Sequence, residues 1–323
     1  MVVLIVIFFV QLCSLISPHI VEAESIIVKA TPINLDPDRP HRTRFGAMTF
    51  LNGFKLSSID KRFGGLSGLA IQPDGSVLYV VSDHGHALSV RLKHDQQRRL
   101  VGFGDWTIMP LKTPGGGVVG GELQDAEALV RKADGSFLVA FEGLHRIWHY
   151  PDLLSIPHPI LTPPDLQQAP RNGGIEAMAM LPDGRLLVLT EGYKNAHGDY
   201  KGWIIHRDRF SPLSYARTRG FKPTDLAVLK HDVFVLERHY FSFFGASVRI
   251  RHLAGNHIQA GAHLRGREVL HLQHPLTVDN FEGMAVEDSK RFGTLIYLIS
   301  DDNFSPLQRT LLLQFRLESS RPE

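Results

Sequence analysis

Five times along this chain the same short pattern recurs: an acidic or small polar residue, a small residue, Leu or Met, a short apolar run, a turn, a second apolar run and a second acidic residue. The cleanest copies run from Asp125 to Glu142 and from Gly174 to Glu191. Gly65 to Asp83 is a third copy with Ser67 in the first acidic slot, Thr224 to Glu237 is a shortened fourth, and Asn280 to Asp301 a lengthened fifth. The first slots, Ser67, Glu127, Glu176, Asp225 and Glu282, are spaced 60, 49, 49 and 57 residues apart. That is the size of a four-stranded propeller blade with its loops. Asp74-Gly75, Asp134-Gly135 and Asp183-Gly184 sit between aliphatic and β-branched runs and mark hairpin turns. No long amphipathic helix competes. The expected fold is therefore all-β, a β-propeller of five recurring blade units, with six blades only if one copy is degenerate.

Within that fold, residues 44–318 form the propeller, 24–43 read as a linker and 319–323 as a tail. Ala47–Phe54 and Thr310–Leu317 are expected to pair in one blade, which closes the ring and removes an exposed sheet edge. Pro151 to Pro170 holds six prolines in twenty residues and reads as a long loop between blades.

The amino terminus has a different character. Val2 to Ile16 is an almost unbroken apolar run, followed by Pro18 and the small-x-small triplet Val21-Glu22-Ala23. It reads as a secretory signal, residues 1–23, cleaved near Ala23. The run is short of the roughly 20 residues a spanning helix needs, which makes an uncleaved membrane anchor the second reading. Lipidation at Cys13 is disfavoured, because Gln11-Leu12 are not small. Cleavage removes Cys13, the one cysteine, and Glu22, leaving 35 basic against 32 acidic residues, or +3. A thiol-free chain has neither an intramolecular disulfide nor a thiolate zinc site. The balanced charge argues against nucleic-acid binding, and no second apolar stretch is long enough to span a bilayer. A monomeric periplasmic or secreted protein is expected.

In an antiparallel hairpin, residues equidistant from the turn lie opposite one another. Glu127 with Glu142 and Glu176 with Glu191 are centred on their Asp-Gly turns, while Asp225 with Glu237 and Glu282 with Asp301 straddle other turns. With Asp83, these nine carboxylates are expected to share one end of the ring. Like charges at that density raise one another's pKa, so a cation is expected among them. An oxygen-rich set suits Ca²⁺, which takes six to eight oxygens at roughly 2.3–2.6 Å, ahead of Mg²⁺ or Mn²⁺. His84, His86, His145, Arg146, Lys194, His197, Arg238, His239 and Arg309, close to the second acidic slots or the last strand, are alternative partners. The competing reading makes each acidic residue a structural device that bonds backbone amides of the next blade.

Other motifs fall away. The glycine-rich Pro114–Gly121 lacks the Gly-Lys-Ser/Thr ending of a phosphate loop, Gly65-Leu-Ser67-Gly-Leu misses the nucleophile-elbow spacing, and no His-Glu-x-x-His occurs.

Six segments, Gly64–Leu69, Val81–Gly85, Asp125–Leu129, Gly174–Met178, Asn280–Met284 and Ser300–Phe304, resemble an exported bacterial family described as phytase-like, with esterase-like activity of phytase. The resemblance spans roughly Arg44 to Leu317 and implies hydrolysis of phosphate or other esters on a propeller. It carries over no catalytic set residue by residue. From the residues themselves, a divalent ion held among Glu127, Glu176, Asp225, Glu237, Glu282 and Asp301 polarises the ester oxygen and acidifies water. Glu142 or Glu191, with Asp83 and His84 as further candidates, accepts the proton, and Arg238, Lys194 and Arg309 hold an anionic substrate. A metal-dependent lactonase and a non-catalytic Ca²⁺-stabilised binding propeller stand as alternatives.

Overall fold

The computed structural model describes residues 22–241 and 245–318, so the signal reading lies almost wholly outside the described residues. The five repeats become five antiparallel blades around one axis. Blade 1 runs outward through Leu66–Ile71, Val77–Ser82, His86–His94, Leu100–Pro110 and Glu24–Ile26. Blade 2 comprises Ala126–Arg131, Phe137–Phe141, Arg146–Tyr150 and His158–Ile160. Blade 3 comprises Ile175–Met180, Leu186–Lys194, Tyr200–His206, Arg209–Tyr215 and His263–Leu264, the last running parallel to its neighbour. Blade 4 comprises Lys222–Leu229, Asp232–Phe241, Gly245–Leu253 and Arg267–Leu272. Blade 5 comprises Asn280–Ser289, Gly293–Asp301, Thr310–Leu317, Met48–Ser58 and Val28–Pro32. No described helix is long and apolar enough to cross a membrane.

The inner hairpins read as continuous apolar runs because both faces of each blade are covered. Phe137–Phe141 is buried at every position, which is what a strand between two packed faces requires. Five hydrophobic clusters fill the five interfaces between successive blades. The ring closes as expected, by antiparallel pairing of Met48–Ser58 with Thr310–Leu317.

Two segments read as irregular are partly strand. Residues 24–32 of the expected linker form edge strands on blades 1 and 5, with Ile26 buried opposite Trp106; the outer edges of both blades offer unpaired backbone groups to the adjacent chain. In the proline-rich stretch, His158–Ile160 pairs with Arg146–Tyr150. Pro159 is tolerated there because an edge strand needs no outward N–H.

Near the axis the innermost strands approach closely. A Cβ on Gly68 would stand 2.3 Å from the Leu129 amide nitrogen, and one on Gly283 2.3 Å from the Ser67 carbonyl oxygen. Ala128, Ala177 and Asp225 hold the same level in blades 2, 3 and 4. Asp225 puts its carboxylate across this constriction. It accepts from the Leu226 and Met284 amides, both at 2.7 Å, and from that of Leu69. Blade 1 does not adjoin blade 4, so the Leu69 bond spans the axis. Burial pushes the Asp225 carboxyl well above its ordinary pKa despite these donors. The expected metal ligand is thus a structural device tying three blades together, and it seals an axial opening of about 160 Å³ lined by the next residues of all five strands.

Replacing Asp225 by Ala strands three buried N–H groups, at about 1–3 kcal/mol each. Urea unfolding is expected to show a clearly lowered midpoint for Asp225→Ala and a smaller loss for Asp225→Asn, which keeps one acceptor oxygen.

Candidate functional site

Every innermost strand carries a β-bulge at the same level. Opposite the second strand, Ala126 pairs with Phe141 and Ala128 with Ala140, leaving Glu127 as the extra residue. By the same count Glu176, Thr224, Glu282 and Ser67 are extra in blades 3, 4, 5 and 1. A bulge bends its strand and re-aims the inserted side chain. It also shifts the register by one, so Glu142 N–H bonds the Asp125 carbonyl at 2.8 Å and Glu191 N–H that of Gly174 at 3.1 Å. Glu127 and Glu176 are therefore not directly opposite their expected partners, although they belong to the same end.

In blade 4 the expected slots are off by one. Lys230-His231 makes a two-residue turn between Leu229 and Asp232, and the bulge falls on Thr224, not Asp225. The second slot, which follows Ser82, Phe141, Thr190 and Ser300 in the other blades, is Arg238, not Glu237. Glu237 points into the blade 4 face, fully buried, and pairs with Arg249, which also lies 3.9 Å over the Phe221 ring. Seven of the nine expected carboxylates converge, and an arginine joins them.

The cluster has two halves. In the first, carboxylate oxygens of Asp125, Glu127 and Glu142 lie within 4.8 Å of one another. Burial, then the charges of Glu282, Asp125 and Glu142, drives Glu127 well above the ordinary carboxyl pKa. Burial raises Glu142 to about 7, against the Gly174 N–H donated to its Oε1 at 2.8 Å and a hydrogen bond from the Glu176 side chain. Glu176 is itself pushed well up by burial and by Glu191, Glu127 and Glu142. Asp83 reaches about 7 through burial and the neighbouring Asp125, Glu282 and Asp302. Its Oδ1 is buried with no hydrogen-bond partner among the described residues. An orphaned buried carboxylate oxygen beside three converging carboxylates fits a hard cation, and the donor set is all oxygen.

The second half already contains its cation. Arg238, mostly buried, sets Nη1 2.7 Å from Glu282 Oε1 and Nη2 3.4 Å from Glu191 Oε2, and Lys222 Nζ lies 2.7 Å from Glu191 Oε1. Asn280 donates to Glu282 at 2.8 Å and to Asp301 at 3.4 Å. Burial and Glu282 still raise Asp301 to about 9. Beside Arg238 opens a groove of about 540 Å³ lined by Lys222, His239, Tyr240, Asn280, Asn303 and Gln308.

Three expected residues do other work. Arg309 is held by Asp279 Oδ2 and the Val278 carbonyl, both at 3.0 Å. Lys194 is exposed, 5.5 Å from the Tyr200 ring. His84 stacks on Phe304 with centroids 4.0 Å apart at the rim. The acidic-slot pattern does not single out Asp125, Lys222 and Asn280. All three stand two residues before a bulge, so a polar residue at that offset in three repeats was the available signal.

A family description reading "Phytase-like: Esterase-like activity of phytase" matches residues 61–304. No curated protein matches the sequence. Among solved structures, an endo-arabinase from Bacteroides thetaiotaomicron superposes with a TM-score of 0.48 at 9% identity, covering 80% of this chain and 95% of that one. A catalytically inactive virginiamycin B lyase from Staphylococcus aureus gives 0.44 at 10%, covering 90% and 100%. A structure described as a putative gluconolactonase gives 0.43 at 13%, covering 94% and 96%.

Carboxyls with raised folded-state pKa values keep protons that the unfolded chain releases, so they cost stability as pH rises through the interval. For Asp83 and Glu142 the window runs from about 4 to about 7, and for Asp301 on to about 9. With a chelator present, thermal stability is expected to fall across this range. Adding Ca²⁺ at pH 8 should restore it and should do little at pH 4.

Proposed function

The chain belongs to the phytase-like family described by esterase-like activity of phytase, and from that premise we propose that it hydrolyses anionic esters at the bulge-level cluster with a divalent cation, Ca²⁺ ahead of Mg²⁺ or Mn²⁺. One observation carries this reading. Asp125, Glu127 and Glu142 converge as oxygen donors, while across the same cluster Arg238 and Lys222 stand at the edge of an open groove.

Asp125, Glu127 and Glu142 would hold the ion, with Asp83 Oδ1 turned toward the same charges. When bound, such an ion polarises an ester oxygen and acidifies water. The remaining work belongs to this chain's own side chains. Arg238 offers a planar guanidinium for bidentate contact with phosphate or carboxylate, and Lys222 a point charge beside it. Asn280 fixes Glu282 and so keeps Arg238 aimed at the groove. Glu176, whose proton is kept by burial and by the surrounding carboxylates and is shared with Glu142, would give that proton to the leaving alcohol and recover one from the attacking water. This reassigns Glu142 from proton acceptor to ion ligand, and Glu176 from ligand to acid. Export by the amino-terminal segment would put the reaction in the periplasm or outside the cell. A non-catalytic, cation-stabilised propeller is the second reading, favoured by the Gly174-to-Glu142 bond linking blades 2 and 3.

A panel of phosphate monoesters, carboxylic esters and a lactone, assayed with and without chelator, separates these readings. Chelation and Glu127→Gln are expected to abolish turnover. Glu176→Gln should lower kcat by about 10²–10⁴-fold while leaving bound metal unchanged. Activity indifferent to chelation and to Glu176→Gln would sink the mechanism. Lys222→Ala should raise KM for anionic esters and leave that for a neutral ester unchanged.

A further inference from the structure

A cavity of about 810 Å³ opens between blades 4 and 5, beside the Lys230-His231 turn and so toward the end opposite the carboxylates. Its floor is apolar, formed by Ala47, Leu229, Phe234, Val269 and Leu317. The charged groups around it are unevenly engaged. Asp232 accepts from His252 Nε2 at 2.8 Å and from the Gly255 amide at 2.9 Å, and Glu318 accepts from Thr49 Oγ1 and lies 3.8 Å from Arg316. Asp232 is thus engaged through both carboxylate oxygens and Glu318 through Oε1. Arg44 and Arg267 also line the cavity, are exposed, and have no carboxylate partner among the described residues.

Two uncommitted guanidiniums over an apolar floor select for one kind of ligand. We infer that this cavity binds an amphipathic organic anion, with its carboxylate, sulfonate or phosphate head on Arg44 and Arg267 and its aliphatic or aromatic body on Phe234, Val269 and Leu317. The volume lies within the usual range of small-molecule sites, about 300–1,000 Å³. A guanidinium pair suits an oxyanion better than ammonium groups would, because each presents a planar fork of donors to two oxygens. A simple inorganic anion would leave the apolar floor uncovered, and a neutral amphiphile would leave the arginines unpaired. The site owes nothing to the carboxylate cluster and does not depend on hydrolysis.

Calorimetric titration of the full chain with decanoate, with decanol as the neutral control, tests the assignment. Saturable decanoate binding at a stoichiometry of about one is expected, weakened at least about tenfold, or about 1.4 kcal/mol, in the Arg44→Gln/Arg267→Gln double variant. Both residues are exposed, so that variant should keep the wild-type unfolding midpoint. Ala47→Phe, which fills the floor without touching the arginines, should also block uptake. No saturable binding at millimolar decanoate, equal affinity for decanol, or full affinity in the double variant would each overturn the proposal.

Discussion

Closure of the ring is the constraint on which everything else rests. Met48–Ser58 and Thr310–Leu317, from opposite ends of the propeller, pair in one blade, which ties the start of the chain to its end and makes five innermost strands share one axis. At that radius there is room for Gly68, Ala128, Ala177 and Gly283 but for little more. The one larger residue at the level, Asp225, is accommodated because its carboxylate replaces what water would otherwise supply to three amides. Without disulfides among the described residues, interblade packing and this closure hold the fold.

The crowding also explains the bulges. One residue is inserted in each innermost strand just before the constriction, and the inserted side chains are Ser67, Glu127, Glu176, Thr224 and Glu282. Placing three glutamates there, Glu176 and Glu282 buried and Glu127 half-buried, is costly, since desolvation and mutual repulsion both raise their pKa values. The cost is met differently around the ring. Arg238 and Lys222 neutralise Glu282 and Glu191 internally, whereas Asp125, Glu127, Glu142 and Asp83 make no ion pair with a basic side chain among the described residues, Arg146 acting on Asp125 only at longer range. That asymmetry, not the number of acids, makes one half of the cluster a candidate cation site and the other the edge of a groove beside Arg238 and Lys222.

The repeat spacing, the Asp-Gly turns and the terminal strands make the five-bladed fold legible in the chain, because each blade is a local hairpin unit repeated along it. The site was less legible. Counting outward from the turn placed Glu127 opposite Glu142, and a single inserted residue undid that register. In blade 4 the acids of the shortened copy, Asp225 and Glu237, stand one residue from the structurally equivalent positions, Thr224 and Arg238. A strand alternates faces with period two, so a slip of one moved Asp225 to the axis and Glu237 into the blade. Arg309 looks available for substrate, yet Asp279, immediately before the fifth copy and in none of its acidic slots, holds it.

By itself, then, the sequence determined the number of blades, the closing strands, and the end of the ring where acids gather, since periodicity and turn chemistry are local properties that every copy states again. Which side chains face one another, which arginine enters the cluster, and where partners are lacking were decided only in the tertiary structure. Bulges and ring curvature bring together residues from non-adjacent blades, as with Asp225 and Leu69, and no spacing along the chain encodes that approach.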